Sequence, residues 1–232
     1  MSGRLGRPRL HLRETGSTND RARALAAAGA PHGTLVTADT QTAGRGRQGR
    51  TWAAPPGQAL LCSLLLRVYD PLAPLRAGLA VADLAGDAAR VKWPNDVLLD
   101  GRKLAGILVE ARPQDGWAVL GIGVNAAVDA AALPPEVRAR AATLGRAPAA
   151  LESTLDELLD HLTARLSQPP AAALDALQAR DALRGRPVRW VDGEGTGAGI
   201  DAAGALLVRL SDGTIRALDA GEVHLSGEPA AT

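Results

Sequence analysis

With no phenylalanine and a single tyrosine in 232 residues, this chain has to build its interior from alanine, leucine and valine. Each of its four tryptophans, Trp52, Trp93, Trp117 and Trp190, therefore becomes a position worth locating. Hydrophobic residues make up 46% and charged residues 22%, too apolar for a disordered chain, so a real core is expected. The length fits one large domain or a large domain with a small one.

Several function classes recede on simple grounds. A formal charge of +1 argues against general polyanion binding, which needs a strongly basic face. The one cysteine, Cys62, lies in the apolar run Ala59 to Leu66 and reads as a small packed hydrophobe. His11, His32, His161 and His224 are scattered without metal-ligand spacing, and no Ser-His-Asp or Cys-His set stands out. Met1 to Pro8 has no apolar signal region, and no stretch approaches the roughly 18 apolar residues of a spanning helix. The expected address is the cytoplasm, with no membrane partner.

Periodicity and turn residues order the chain. A short strand at His11 to Thr15 leads to Gly16-Ser17-Thr18-Asn19-Asp20, which supplies capping residues for an alanine-rich helix ending near Gly29. A strand from Gly33, a long Gly/Arg/Pro-rich loop from Thr40 to Pro56, a strand from Leu60 to Val68 and a helix from Leu72 to Ala89 follow. Asp100-Gly101 between Val97-Leu98-Leu99 and Arg102 to Glu110 predicts a hairpin closed by a type I′ turn, with another strand over Trp117 to Val124. Leucines 151, 155, 158, 159, 162 and 166 mark one helical face. After Gly185 short segments separated by turn residues read as a small β-barrel, near the size limit for folding alone and so expected to pack on the larger domain. The boundaries predicted are 1–182 and 183–232.

Four clusters could carry chemistry. In Gly44-Arg45-Gly46-Arg47-Gln48-Gly49-Arg50, guanidinium forks and glycine-exposed backbone suit phosphate or carboxylate, while mutual repulsion should keep the unliganded loop mobile. It is neither a Walker A loop nor a dinucleotide fingerprint, and a solvated basic loop or an RNA-binding segment is the alternative. Lys92-Trp93-Pro94-Asn95-Asp96 brings a cation, a flat ring, an amide and a carboxylate together, suited to a nucleotide with magnesium or to a plain polar turn. Alternation along Arg102 to Glu110 puts Lys103 and Ala105 on one strand face and Leu104, Gly106 and Leu108 on the other. Lys103 there either holds an anion or keeps a strand end soluble. Gly121 and Gly123 share a face and leave a flat strip for a ring-shaped ligand or another backbone.

In order, Gly16-Ser17-Thr18-Asn19, Gln41 to Arg50, Lys92 to Asp96, Lys103 to Leu108 and Gly121-Ile122-Gly123-Val124-Asn125 resemble the biotin–protein ligase family, and the tail from Arg186 to Val223 resembles its SH3-like C-terminal domain. The resemblance implies an α/β (α+β) catalytic domain with a mixed sheet flanked by helices. It also implies synthesis of biotinyl-5′-adenylate from biotin and ATP with Mg2+, and transfer of biotin to a lysine of a biotin carboxyl carrier protein. By matching position, Ser17, Thr18, Asn19, Gln41, Gly44, Arg45, Gly46, Arg47, Lys103, Gly106, Gly121 and Gly123 would line the biotin site. Arg50, Trp52, Lys92, Asn95, Asp96 and Asn125 would serve ATP, Asp96 with the metal, and Arg47 and Lys103 would be catalytic. Motif residues starting at Ser17 leave no room for the family's helix-turn-helix domain, so the monofunctional type without operator binding is expected. The segment Leu72 to Arg90 is short for the family and leaves a homodimer open. Lipoate–protein ligase, which shares the fold and adenylation logic, and a noncatalytic nucleic-acid module are the competing readings.

Overall fold

The structure, a computed structural model, describes residues 5–68 and 70–225. Residues 1–4 and 226–232, at the outer ends of the two expected domains, lie outside the described residues, as does Tyr69.

Among the described residues, twelve strands and five α-helices follow one another. They are β1 (Arg9–Thr15), α1 (Thr18–Ala27), β2 (Leu35–Gln41), β3 (Leu60–Leu66), α2 (Ala73–Ala85), β4 (Ala89–Lys92), β5 (Asp96–Leu99), β6 (Arg102–Arg112), β7 (Trp117–Val124), α3 (Pro135–Arg138), α4 (Leu151–Ser167), α5 (Pro170–Arg180), β8 (Pro187–Trp190), β9 (Gly193–Ile200), β10 (Leu206–Arg209), β11 (Ile215–Leu218) and β12 (His224–Leu225). A seven-stranded sheet runs β1-β2-β3-β7-β6-β5-β4, with only β1 and β2 parallel, so the sheet is mixed as expected. The second sheet, β11-β10-β9-β8-β12, is antiparallel throughout.

Alternation along β3 explains the layering. Leu60, Cys62, Leu64 and Leu66 join the large core under α2 and α4, whereas Leu65 points the other way into a smaller cluster with Ala22 and Ala26 of α1, Val36, Trp117 and Val119. A strand buried on both faces reads as a continuous apolar run, and β3 is buried at every position. Helix α1 covers only part of its face, and the uncovered part becomes the floor of the site.

The two sheets share one core, since Val188, Leu206 and Val208 of the second sheet belong to the same cluster as Leu79 and Leu120. Trp93, 3% exposed, donates its indole N–H to the Gly204 carbonyl at 2.9 Å and joins the sheets directly. The small domain does pack on the larger one.

Three expectations need correction. The helix expected over Leu72 to Ala89 stops at Ala85, because Gly86 adopts φ 89°, and Ala89 already begins β4. Helix α5 carries Pro170 in its first turn and was not foreseen. The faces of β6 also differ from simple alternation. Val97 pairs with Ala105 but the next residue, Leu98, pairs with Lys103, so Leu104 is an extra residue in the strand. A bulge of this kind flips the parity and puts Lys103 on the face of Gly106. The hairpin itself forms as expected, with Asp100 at φ 50° and Gly101 at φ 75°.

Candidate functional site

On the α1 side of the sheet, beyond the helix, lies a cleft of about 110 Å3 lined by Ser17, Thr18, Asn19, Gln41, Arg45, Gly46, Arg47, Arg50, Trp52, Lys103, Gly106, Gly121 and Gly123, among others. Its floor is glycine by necessity. Gly106 pairs with Gly123, and Gly121 with Ser63, so these positions face the cleft together. A Cβ on Gly121 would overlap the Asn19 amide, and one on Gly123 would come within 2.5 Å of the Trp52 indole. Trp52 thus lies flat on the strip, with its ring centroid 5.8 Å from the Lys103 ammonium.

One end of the cleft is lined by the uncharged polar side chains of Ser17, Thr18, Asn19 and Gln41. Ser17 sits at the N-cap of α1 with extended backbone, but its hydroxyl makes no capping bond, contrary to the capping role expected of it. The cap comes instead from across the fold, as Gln41 Oε1 accepts from the Thr18 N–H at 2.8 Å and from the Thr18 hydroxyl at 3.1 Å. Ser63, fully buried, lies 2.8 Å from Thr18 Oγ1 and 2.6 Å from Asn19 Oδ1. Asn19 Nδ2 in turn donates to Glu110 Oε2 at 2.7 Å.

The arginine loop closes the cleft as a pinched turn. Gly46 N donates to the Arg50 carbonyl at 2.7 Å, Trp52 N to the Gly44 carbonyl at 3.0 Å, and Gln48 takes φ 55°. Gly44 does not line the cleft. It is glycine because a Cβ would strike the Trp52 carbonyl. The expected mutual repulsion of the arginines is offset by carboxylates from three other elements. Arg45 reaches Asp20 at 2.8 Å and Glu110 at 3.1 Å, and Arg50 pairs with Glu222 of the second sheet's domain. Arg47 donates to the Gly221 carbonyl at 3.5 Å. Burial and neighbouring Arg50 lower the Arg47 pKa, Asp96 and Glu222 opposing, so a bound anion would relieve a desolvated cation.

The other end is ionic. Lys103 Nζ meets Asp96 Oδ1 at 2.8 Å. Lys103, Asn95 and Arg50 line both the cleft and a neighbouring cavity of about 350 Å3 that also holds Lys92, Asp96, Arg140, Glu222 and His224. Two cavities, one floored by glycine and one rimmed by charge, therefore meet at Lys103. Asn95 Nδ2 donates to the Ile107 carbonyl at 3.2 Å, which holds the β4–β5 turn against β6. Asn125 lines neither cavity. Its amide donates to the carbonyls of Ala142 at 3.0 Å and Lys103 at 3.5 Å, and so it braces the bulge that aims Lys103.

Sequence reasoning missed Ser63, Asp20, Glu110 and Glu222. Ser63 carried a usable signal, a lone hydroxyl inside an apolar run, whereas the three carboxylates acquire their partners only through tertiary pairing. Among the described residues no group of three or more His, Cys, Asp or Glu is placed to hold a metal ion.

Residues 13–126 match the family model described as the biotin/lipoate A/B protein ligase family, and residues 185–226 match that of the biotin protein ligase C terminal domain. The two models define the class, the biotin/lipoate protein ligases. The chain is 37% identical to the biotin--[acetyl-CoA-carboxylase] ligase of Mycobacterium tuberculosis, over 91% of this chain and 87% of that one. It is 39% identical to the bifunctional ligase/repressor of Bacillus subtilis over 56% of this chain, which spans 44% of that relative's length. The solved structure of the biotin protein ligase from Aquifex aeolicus in complex with biotin and ATP superimposes with a TM-score of 0.77 at 27% identity, covering 94% of this chain and 98% of that one. The chain belongs to the biotin protein ligase family.

Proposed function

We propose that this chain activates biotin with ATP and transfers it to a lysine of a carboxylase's biotin carrier domain. The observation that carries the reading is the junction at Lys103, where a glycine-floored cleft with a neutral polar end opens into a second, charge-rimmed cavity. A ring-shaped ligand bearing a ureido group and a carboxylate fits the first. A nucleoside triphosphate suits the second.

In the reaction the biotin carboxylate attacks the α-phosphorus of ATP, forming the acyl–phosphate bond of biotinyl-5′-adenylate as the bond to the β-phosphate breaks and pyrophosphate leaves. The lysine amine of the carrier then attacks the acyl carbon, AMP departs, and the nitrogen loses a proton. The first step brings two anions together, so cations placed where charge develops lower its barrier. Lys103 and Arg47 take that role. Ser17, Thr18, Asn19 and Gln41 bind the ureido end, Gly106, Gly121 and Gly123 let Trp52 and Asn19 lie close on the sheet so that the bicyclic ring and chain lie against them, and Gly44, Arg45 and Gly46 shape the closing loop. Arg50, Lys92, Asn95 and Asp96 serve ATP from the second cavity, whereas Trp52, expected to join them, lines the first cleft beside Lys103. Asn125 supports that site through the Lys103 backbone. A single protein carboxylate beside phosphate oxygens suits Mg2+, which keeps several waters. Asp96 would hold it, and the ion would neutralise phosphate charge.

The wider reading places the domain boundary at 182/183 and the protein in the cytoplasm, with the carrier as its macromolecular partner and no sequence-specific DNA partner. No helix among the described residues is long and apolar enough to cross a membrane. Self-association into a homodimer is left to sedimentation, with and without biotin and ATP. The catalytic test is pyrophosphate release from ATP and Mg2+ by the purified chain, given biotin or lipoate without carrier. Release with biotin alone is expected. Release with lipoate alone, or with neither, overturns the assignment.

A further inference from the structure

Glu110 lies behind Asn19, at the end of the cleft away from Lys103, two residues past the Lys103 to Leu108 motif. It closes a network that reaches the cleft through two residues. Its Oε2 accepts from Asn19 Nδ2 at 2.7 Å and from Arg45 at 3.1 Å, and its Oε1 accepts from Arg23 at 3.0 Å. Asp20 joins both arginines, at 2.5 Å to Arg23 and 2.8 Å to Arg45. On the far side of Asn19, the buried Ser63 hydroxyl lies 2.6 Å from Oδ1.

An ionised carboxylate only accepts hydrogen bonds, so it dictates which end of a neighbouring carboxamide turns toward it. Asn19 must direct its NH2 at Glu110, where the second proton finds the Leu108 carbonyl at 3.4 Å. Its oxygen then faces Ser63 and keeps one lone pair for the cleft that Asn19 lines. A glycine at 121 lets the amide lie on the sheet in this pose. We propose that Glu110 is a positioning residue of the biotin site, holding Asn19 so that it presents an acceptor to a ureido N–H, and tethering Arg45 at the start of the closing loop. This rests on the proposed function, and it adds a determinant of ligand selectivity that makes no contact with the ligand.

Glu110→Gln keeps the shape but removes the charge, and it allows the Asn19 amide to turn either way. In pyrophosphate release the variant should raise KM for biotin at least tenfold while KM for ATP stays within twofold and kcat within threefold. Because Glu110 acts through Asn19, the two changes should not multiply. In an Asn19→Ala background the further rise in biotin KM caused by Glu110→Gln should shrink severalfold. Glu110→Asp retains the charge and the fold but withdraws the carboxylate by one methylene, and it serves if the glutamine variant does not fold. Its biotin KM should rise with the same selectivity. The proposal is overturned by an unchanged biotin KM, by effects that multiply fully in the double variant, or by biotin and ATP KM rising together with a lowered urea midpoint, which would mark a purely structural role. Failure of the unmutated chain to release pyrophosphate with biotin would instead remove the function on which the proposal stands.

Discussion

In the proposed reaction Lys103 has to be a cation at the meeting of two anions and yet stay aimed in their absence. The structure meets both demands, with Asp96 as a removable counter-ion at 2.8 Å and the backbone pinned by Arg140 and Ala142. Lys103→Ala should lower kcat/KM for pyrophosphate release about 100- to 1,000-fold, the size expected when one charge-stabilising contact is lost. Unchanged kinetics would move the reacting centre elsewhere. Cys62 shows the opposite case, a reactive residue type kept inert. Burial pushes its thiol up to about 12, Arg9 opposing weakly. A thiol whose folded pKa lies above its unfolded one stabilises the fold below the unfolded pKa and loses that contribution as pH rises toward the folded value. Cys62 should therefore resist iodoacetamide in the native protein at pH 8 and react after denaturation, and Cys62→Ala should flatten the loss of stability above pH 9. At this scale the sequence disclosed the short runs that the structure brings to the two cavities: the arginine loop, the glycine strip, and Lys92 to Asp96. It could not disclose Glu110, whose partners come from α1 and the loop, 65 to 91 positions away along the chain.

Elements were legible wherever local chemistry decides them. Asp100-Gly101 specified its turn, and the leucine spacing of α4 specified its buried face, with Leu155, Leu158 and Leu162 all within the core. The bulge at Leu104 was not legible, because nothing local separates it from regular alternation. It is set by the register of β5 against β6 and by the 140–142 segment bonded to Lys103. The proposed role of Lys103 depends on that irregularity, since regular alternation would have turned Lys103 away from Gly106. The glycine strip is the complementary case, a regular element whose lack of side chains makes the room. Gly123→Ala places a Cβ within 2.5 Å of the Trp52 ring, and Trp52 must lift. At the ~1–3 kcal/mol typical of overpacking, biotin KM should rise roughly tenfold or more, with stability little changed if Trp52 yields. An unaltered KM would place the ligand off the strip.

For the molecule as a whole, the consequential contact is the one that joins the two sheets. Trp93 sits in the middle of a motif read for nucleotide chemistry, yet it is 3% exposed and bonded to Gly204, so that the loop it anchors is fastened to the second sheet's domain. Trp93→Ala should cost about 3–5 kcal/mol in urea unfolding. Unfolding should remain a single transition if the shared core makes the two sheets one cooperative unit, whereas a separate early transition would show that they are independent. Where α5 hands over to the second sheet, Ala182 N donates to the Val91 carbonyl at 2.9 Å and Asp181 Oδ1 accepts from Leu183 N at 2.8 Å. Burial raises the Asp181 pKa, and backbone N–H bonds from Leu183 and Arg184 and the Arg184 charge oppose it only in part. A raised carboxyl pKa means that the folded state holds the proton more tightly than the unfolded one. Its stabilising contribution is complete below the unfolded aspartate pKa and is lost as pH rises through the folded value. Once pH rises past the folded value, wild type carries a buried charge that Asp181→Asn removes while keeping an oxygen for Leu183 N. The variant's stability relative to wild type should be most favourable near pH 7 and should decline steadily toward pH 4. Urea midpoints across that range would show it, and a difference that does not change with pH would mean that the junction carboxyl titrates as it does in water.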